Sequence, residues 1–507
     1  MKLLTTIAKA FFSTRIAQID YFRLHPQEVQ EQTFLYLLKQ ASQTEWGKKY
    51  SYSAIKNPEQ FRQQVPISAY EDLFPYIERT MKGEQNILWN SKIQWFSKSS
   101  GTTNARSKFI PVSQESLQYC NFQGGKDMIA LYVENYPKTK VFSGKSLSIG
   151  GSLQQNHLNS QTQYGDISAV MMKNLPFWAE YLRTPSLKIA LMDKWEDKIM
   201  AMAAETMQVN VTSMAGVPTW TIVLIQKILE LSGKQNICEV WQNLEVFFHG
   251  AVAFTPYRQL FKNLIPNPSM NYMEVYNASE GFFALQDQRY SEEMLLMLDY
   301  GVYYEFIPIE FIDQENPKVI GLEQVELGKN YAILLSTNAG LWRYKIGDTV
   351  RFTSIKPYRI KISGRTKHFI NAFGEEVVVE NAETALTKAC EATSAIVSNF
   401  TAAPVYLQAN ENGYTQGGHE WVIEFENQPT DIQLFAEILD NTLRQINSDY
   451  DAKRYQNIAL VAPKIHVAPK GTFYAWLKQK NKLGGQNKVP RLANNREYID
   501  EILKQNT

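Results

Sequence analysis

The segment SKSSGTTNARSKFIPVS, residues 97–113, sets Ser99, Ser100, Thr102 and Thr103 around Gly101 and between basic side chains. Gly101 lets the backbone approach a ligand, consecutive amides can form an anion-binding nest, and the hydroxyls add donors. Arg106 or Lys108 could add positive charge. Such a segment can hold phosphate or be a solvated turn, and composition alone does not separate the two. Two acids stand at other strand and turn boundaries: Glu280 in MEVYNASEGFFA, residues 273–284, and Asp348, directly after Gly347, in LWRYKIGDTVRF, residues 341–352. Each by itself also suits a surface acid or a tight turn. The SGKS at 143–146 ends like a P-loop, but Thr139 stands where the first glycine is required, and no GxGxxG occurs. Cys120, Cys238 and Cys390 lie too far apart in sequence for a metal-ligand spacing, and the six histidines are scattered without an HExxH pattern.

The elements that must carry these groups alternate between helix and strand. Ile93, Trp95 and Phe96 on one side, and Phe109, Ile110 and Val112 on the other, read as two strands, which makes the hydroxyl-rich segment a strand-to-strand loop. TIVLIQKILELS at 221–232 has helical periodicity, while LEVFFHGA at 244–251, NYAILLST at 330–337 and RYKIGDTVRF at 343–352 read as strands running into turns. Function tends to sit at such turns. The pattern is that of an α/β architecture. Near residue 365 the character changes: residues 358–386 read as strand, turn, strand and then a helix from about Glu380. An extended pair around VYLQAN at 405–410 and GHEWVIEFE at 418–426, a helix near 432–446 and a basic tail complete a smaller α+β unit. The expected division is 1–365 and 366–507.

The whole chain narrows the function classes. Its 507 residues exceed one ordinary core, and a hydrophobic fraction of 44 % can build two. A formal charge of +1 gives no global field to attract nucleic acid or an anionic membrane. Near the N-terminus, Lys9 and Arg15 interrupt the apolar run, and Leu3, Ile7, Phe11 and Ile16 suit an amphipathic helix better than a secretion signal. No stretch approaches a membrane span. The expectation is a cytoplasmic, enzyme-like chain without nucleic acid, stable membrane insertion or an obligate protein partner.

In order and spacing, SSGTT, YNASE and RYKIGD resemble the signatures of the acyl-adenylate-forming superfamily, and in detail those of the GH3 family of acyl-acid amido synthetases. SMAGVPTW at 213–220, FHGAVAF at 248–254, GTFYAWL at 471–477 and KVPR at 488–491 extend the resemblance over nearly the whole chain. It implies a large N-terminal α/β domain with mixed sheets, holding ATP and the acyl acid, and a smaller mobile C-terminal α+β domain that closes over the site. It also implies ATP-dependent adenylation of a carboxylic acid, then transfer of the acyl group to an amino acid.

By that resemblance Ser99, Ser100, Gly101, Thr102 and Thr103 would hold the outer phosphates, Glu280 would bind Mg²⁺, and Asp348 would accept from the ribose hydroxyls. Gly250, Ala251 and Tyr276 would frame the adenine, Ser279 and Arg365 would contact the nucleotide, and Lys367 would be the hinge. The stretch from Pro463 to Arg496 is basic and contains no Asp or Glu, ordinarily a solvated face. Within it the resemblance places at Lys488, after the flexible LGGQN, a lysine that swings onto ATP. Asn277 and Ala278 depart from the family's usual YxSSE-type pattern. GSLQQN at 151–156 and SMAGVPTW are the expected walls of the acyl pocket. Thioester formation of the acyl-CoA ligase type, and a non-catalytic nucleotide-binding protein, are the alternatives.

Overall fold

The computed structural model describes residues 2–99, 108–192, 194–252, 254, 257–312, 314–365, 369–407, 409–410, 413–414, 417–454, 460–479 and 490–504. An 11-stranded sheet forms its backbone. Four of its strands, Lys145–Ser148, Val211–Gly216, Val246–His249 and Asn271–Ala278, lie side by side and parallel. Beyond Asn271–Ala278 the pairing becomes antiparallel, through Gly281–Leu285, Met294–Leu296, Tyr358–Arg365, Tyr344–Ile355, Asn330–Thr337 and Val302–Pro308. The change of direction falls on the strand that carries Tyr276. Residues Val246, Phe247 and Phe248 are buried, as expected for a strand covered on both faces.

The helix Pro218–Ser232 covers the parallel half. Proline stands in its first turn, Gly233 at φ +66 ends it, and Ile222, Leu224, Ile225 and Ile228 are all fully buried. A second, 4-stranded sheet pairs Trp95–Ser99 antiparallel with Lys108–Val112, with Ser99 opposite Lys108. The two strands anticipated around the hydroxyl-rich segment are therefore present, and their register brings Ser99 and Lys108 opposite one another. Residues 100–107 lie outside the described residues.

The first helix, Lys2–Leu24, differs from its expected face. Its contacts to the core are Ile19 and Phe22, with Ile16 partly buried, while Phe11 is 75 % exposed. The side chains of Leu3 and Ile7 lie outside the described residues. The rotation is set by Arg15, whose guanidinium is clamped by Asp127 at 2.7 Å and also pairs with Asp299. A buried, bidentate ion pair outweighs the modest apolar preference of one side chain.

After residue 365 a 3-stranded sheet, Ile396–Val405, Gly418–Asn427 and Lys464–Ala468, packs beneath the helices Val379–Thr393 and Ile432–Ile446. The latter helix is capped by Asp431, which accepts from the Gln433 and Leu434 amides, and buries Phe435, Leu439 and Leu443 at a spacing of four. Ala403, Val422 and Ala468 face the other way, onto Phe473, Trp476, Ile499 and Ile502. This part is not separate from the rest: Ile370, Ala372 and Phe373 belong to the same apolar cluster as Trp241, Tyr257 and Phe261. The Tyr257 hydroxyl also donates to the Ala372 carbonyl oxygen.

Candidate active site

Glu280 and Ser279 occupy the two-residue turn between the strands Asn271–Ala278 and Gly281–Leu285, since Ala278 pairs with Gly281. A turn this tight pushes Glu280 out at the carboxyl end of the last parallel strand. Neighbouring Val246–His249 ends on the same edge, at Gly250 and Ala251. A Cβ on Gly250 would stand 2.5 Å from the Val275 carbonyl oxygen, so the close approach there requires glycine. Ala251 has φ +70, a left-handed conformation that costs a residue with a Cβ on the order of 1 kcal/mol or more. His249 is buried and stacks on Phe254 at 3.9 Å, and its burial drives the imidazole pKa down to about 3, so the ring is neutral.

Asp348 lies on Tyr344–Ile355, which reaches the edge from the antiparallel half. Its Oδ2 accepts the Tyr276 hydroxyl at 2.7 Å. Two residues 72 positions apart in the chain are thus held against one another. Arg365 ends the strand Tyr358–Arg365 and pairs in register with Asp348.

A third group joins them. The Lys108 Nζ is buried, donates to the Tyr344 hydroxyl oxygen at 3.4 Å, and lies 5.6 Å from the Tyr70 ring centroid. The Tyr344 hydroxyl donates to Glu280 Oε1 at 3.2 Å. Lys108, Tyr344 and Glu280 therefore form one line of contacts. Burial pushes the Glu280 pKa up, the Lys108 charge pulls it back, and the Asp348 and Glu376 charges push it up again.

Behind this edge, Arg343 and Arg62 share Glu305, at 2.9 and 3.1 Å, in a site where Arg343 and Glu305 are almost fully buried. Arg343 has φ +42 and also donates to the carbonyl oxygens of Arg62 and Val65. The network fixes the backbone immediately before Tyr344. Sequence reading overlooked it because Glu305 is a lone acid inside the apolar run VYYEFIP, and it read RYKIGD for Asp348 alone.

Of the site residues expected from sequence, the structure gathers Glu280, Ser279, Tyr276, Asp348, Gly250 and Ala251 at this edge, with Ser99 at the end of its strand. Ser100, Gly101, Thr102, Thr103, Lys367 and Lys488 lie outside the described residues, as does the Arg365 side chain. In GSLQQN, Gln154 and Gln155 are exposed, Asn156 is buried and tied to the Met81 carbonyl oxygen at 2.9 Å, and the start of the segment is half-buried beside Gly150. There the Lys198 Nζ donates to the carbonyl oxygens of Gly150 and Gly151 at 2.6 and 2.9 Å, and the Ser152 amide donates to Asp166.

The chain matches the models of the GH3 family N-terminal domain over residues 15–270, central domain over 295–365 and C-terminal domain over 380–497. It belongs to the GH3 family. Similar GH3 relatives include the indole-3-acetic acid-amido synthetase GH3.4 of Arabidopsis thaliana, 24 % identical over 93 % of this chain and 90 % of the relative. The jasmonoyl–L-amino acid synthetase JAR6 of Nicotiana attenuata is 23 % identical over 92 % of this chain and 90 % of the relative. The fold is shared with the GH3.15 acyl acid amido synthetase, at a TM-score of 0.61 and 17 % identity over 97 % of this chain and 96 % of that one. It is also shared with 2-hydroxyisobutyryl-CoA ligase, at a TM-score of 0.56 and 13 % identity over 95 % and 92 %.

Proposed function

We propose that this GH3 protein uses ATP to adenylate a carboxylic acid and then passes the acyl group to the amine of an amino acid, releasing AMP and pyrophosphate. The observation that carries the reading is the meeting of Glu280, Asp348 bonded to Tyr276, and Lys108 reaching Glu280 through Tyr344, at the end of the parallel strands. Open sheets bind nucleotides at such an edge. The relatives include an indole-3-acetic acid-amido synthetase and a jasmonoyl–L-amino acid synthetase, which supports the same reaction class here.

Joining a carboxylate to an amine is uphill in water, and the attacking carboxylate and the triphosphate are both anions. Attack at the α-phosphorus forms the acyl–O–P bond, and pyrophosphate leaves with the bonding electrons. The amine then forms the amide bond, AMP leaves with the electron pair of the acyl–oxygen bond, and the amine proton goes to solvent. Ser99 to Thr103 would seat the outer phosphates and Gly250, Ala251 and Tyr276 would frame the adenine. Asp348, oriented by Tyr276, would hold the ribose, with Ser279 and Arg365 as further nucleotide contacts. Glu280 fits Mg²⁺, which is held by one or two carboxylates together with substrate phosphates rather than by an all-protein cage. No group of three metal-ligating side chains exists among the described residues. Bound there, the ion would offset phosphate charge. Lys488 would meet the charge developing at the α-phosphorus, and residues 366–507 would close on 1–365 about Lys367. No helix among the described residues is long and apolar enough to cross a membrane, and we place the activity in the cytoplasm.

The test is pyrophosphate exchange into ATP across a panel of organic acids with Mg²⁺, followed by mass spectrometry with amino acids. Acid-dependent AMP and pyrophosphate, and an amide, are expected. ADP and phosphate would point to an acyl phosphate, and rapid consumption of the adenylate by coenzyme A alone would move the assignment to thioester formation.

A further inference from the structure

Lys453, on the helix Ser448–Arg454, is only 7 % exposed, and its ammonium lies 4.4 Å from the Trp220 ring centroid. Among the described residues its ammonium makes no side-chain hydrogen bond and no close ion pair, although Asp449, Asp166, Glu375 and Glu376 act on it electrostatically. A buried cation without a directly paired anion is costly, because water is removed and only a ring contact and longer-range carboxylate charges replace it. Its location is informative. Trp220 stands in the first turn of the helix that follows the SMAGVP segment. Gly374 of the C-terminal part lies beside the ammonium, where a Cβ would stand 3.6 Å from Nζ, an ordinary van der Waals distance. Asp166, which precedes the helix Ile167–Lys173 and holds the Ser152 amide, acts on it electrostatically, and Asp449, Glu375 and Glu376 act on it from its own side. Glu376 in turn bears on Glu280.

We propose that Lys453 binds the α-carboxylate of the acceptor amino acid, with Trp220 covering the contact and the carboxylates around it favouring the amino end of the zwitterion. This rests on the amido synthetase reading given above. The site is sheltered and lies at the junction of the two parts, on the side where the acyl pocket is expected. A lysine with no directly paired carboxylate can supply one strong ion pair to a small carboxylate, and its burial strengthens that pair. Burial depresses the ammonium pKa in the free protein, so an arriving carboxylate also restores the charged form.

The experiment compares wild type with Lys453→Met, which keeps length and removes charge. Calorimetric titration with the twenty amino acids and their carboxamides, each in the presence of AMP, measures binding without needing the acyl substrate. Wild type is expected to bind one or more amino acids at least tenfold more tightly than the matching carboxamides, and Lys453→Met to lose that preference while melting no lower. Pyrophosphate exchange with any acid that supports it should keep its rate and its acid KM. An unchanged carboxylate preference in the variant, no amino acid binding in wild type, or a raised acid KM with amino acid binding intact would each overturn the proposal. Failure of the parent reading is seen separately, as absence of acid-dependent exchange or of amide in wild type.

Discussion

Glu280 is a carboxylate whose charge is opposed by burial and by Asp348 and Glu376 and supported by Lys108 through Tyr344. If its ionised form organises charge at the transferring phosphate, Glu280→Ala should lower the adenylation rate by about 10²–10³-fold while the protein stays folded. A raised pKa means that protonation, and loss of activity, begins at a higher pH than for an ordinary carboxylate. Lys108→Met removes the charge that restrains that rise, so the acid limb of the exchange rate against pH should move further up. Stability has the opposite sign. With the folded pKa above the unfolded one, the contribution of protonated Glu280 is complete below the unfolded pKa and is lost as pH rises through the folded one. Glu280→Gln should therefore melt higher than wild type at neutral pH, and the gap should close in acid.

The elements that deliver these groups are held by a network that the chemistry does not touch. Arg343, Arg62 and Glu305 lock the turn before Tyr344 against the segment ending at Val65. Arg343→Met leaves a buried Glu305 with a single, more exposed partner and removes the donor to two carbonyls. The expected loss is about 3 kcal/mol of stability, read from the denaturant midpoint. If the network also positions Tyr344, the variant should lose adenylation rate at temperatures where it is still folded.

In the whole molecule one site must first gather an acid and ATP and later admit an amine. Two parts that close in different ways can do both. The shared apolar cluster around Phe373 and Tyr257 is the surface across which such a change would act. Lys488→Ala should slow adenylate formation, whereas a supplied acyl-adenylate should still react with the amine at near the wild-type rate. Quenched-flow measurement of the two steps separates the cases, and equal impairment of both would make the lysine a structural residue.

The sequence alone determined what local chemistry can encode. Strands flank the SSGTT segment because apolar and β-branched residues flank it, the helix over 221–232 follows from its periodicity, and the ordered motifs give the family. Other features depended on contacts between residues hundreds of positions apart, to which no local pattern responds. The partnership of Tyr276 with Asp348, the path from Lys108 to Glu280, the lone acid Glu305 between two arginines, and the burial of Lys453 under Trp220 are of this kind. The first helix shows the same limit on a single element. Apolar spacing suggested a face that included Phe11, but Arg15 found two carboxylates on other elements, and a buried charge pair fixes orientation more strongly than one exposed ring resists it.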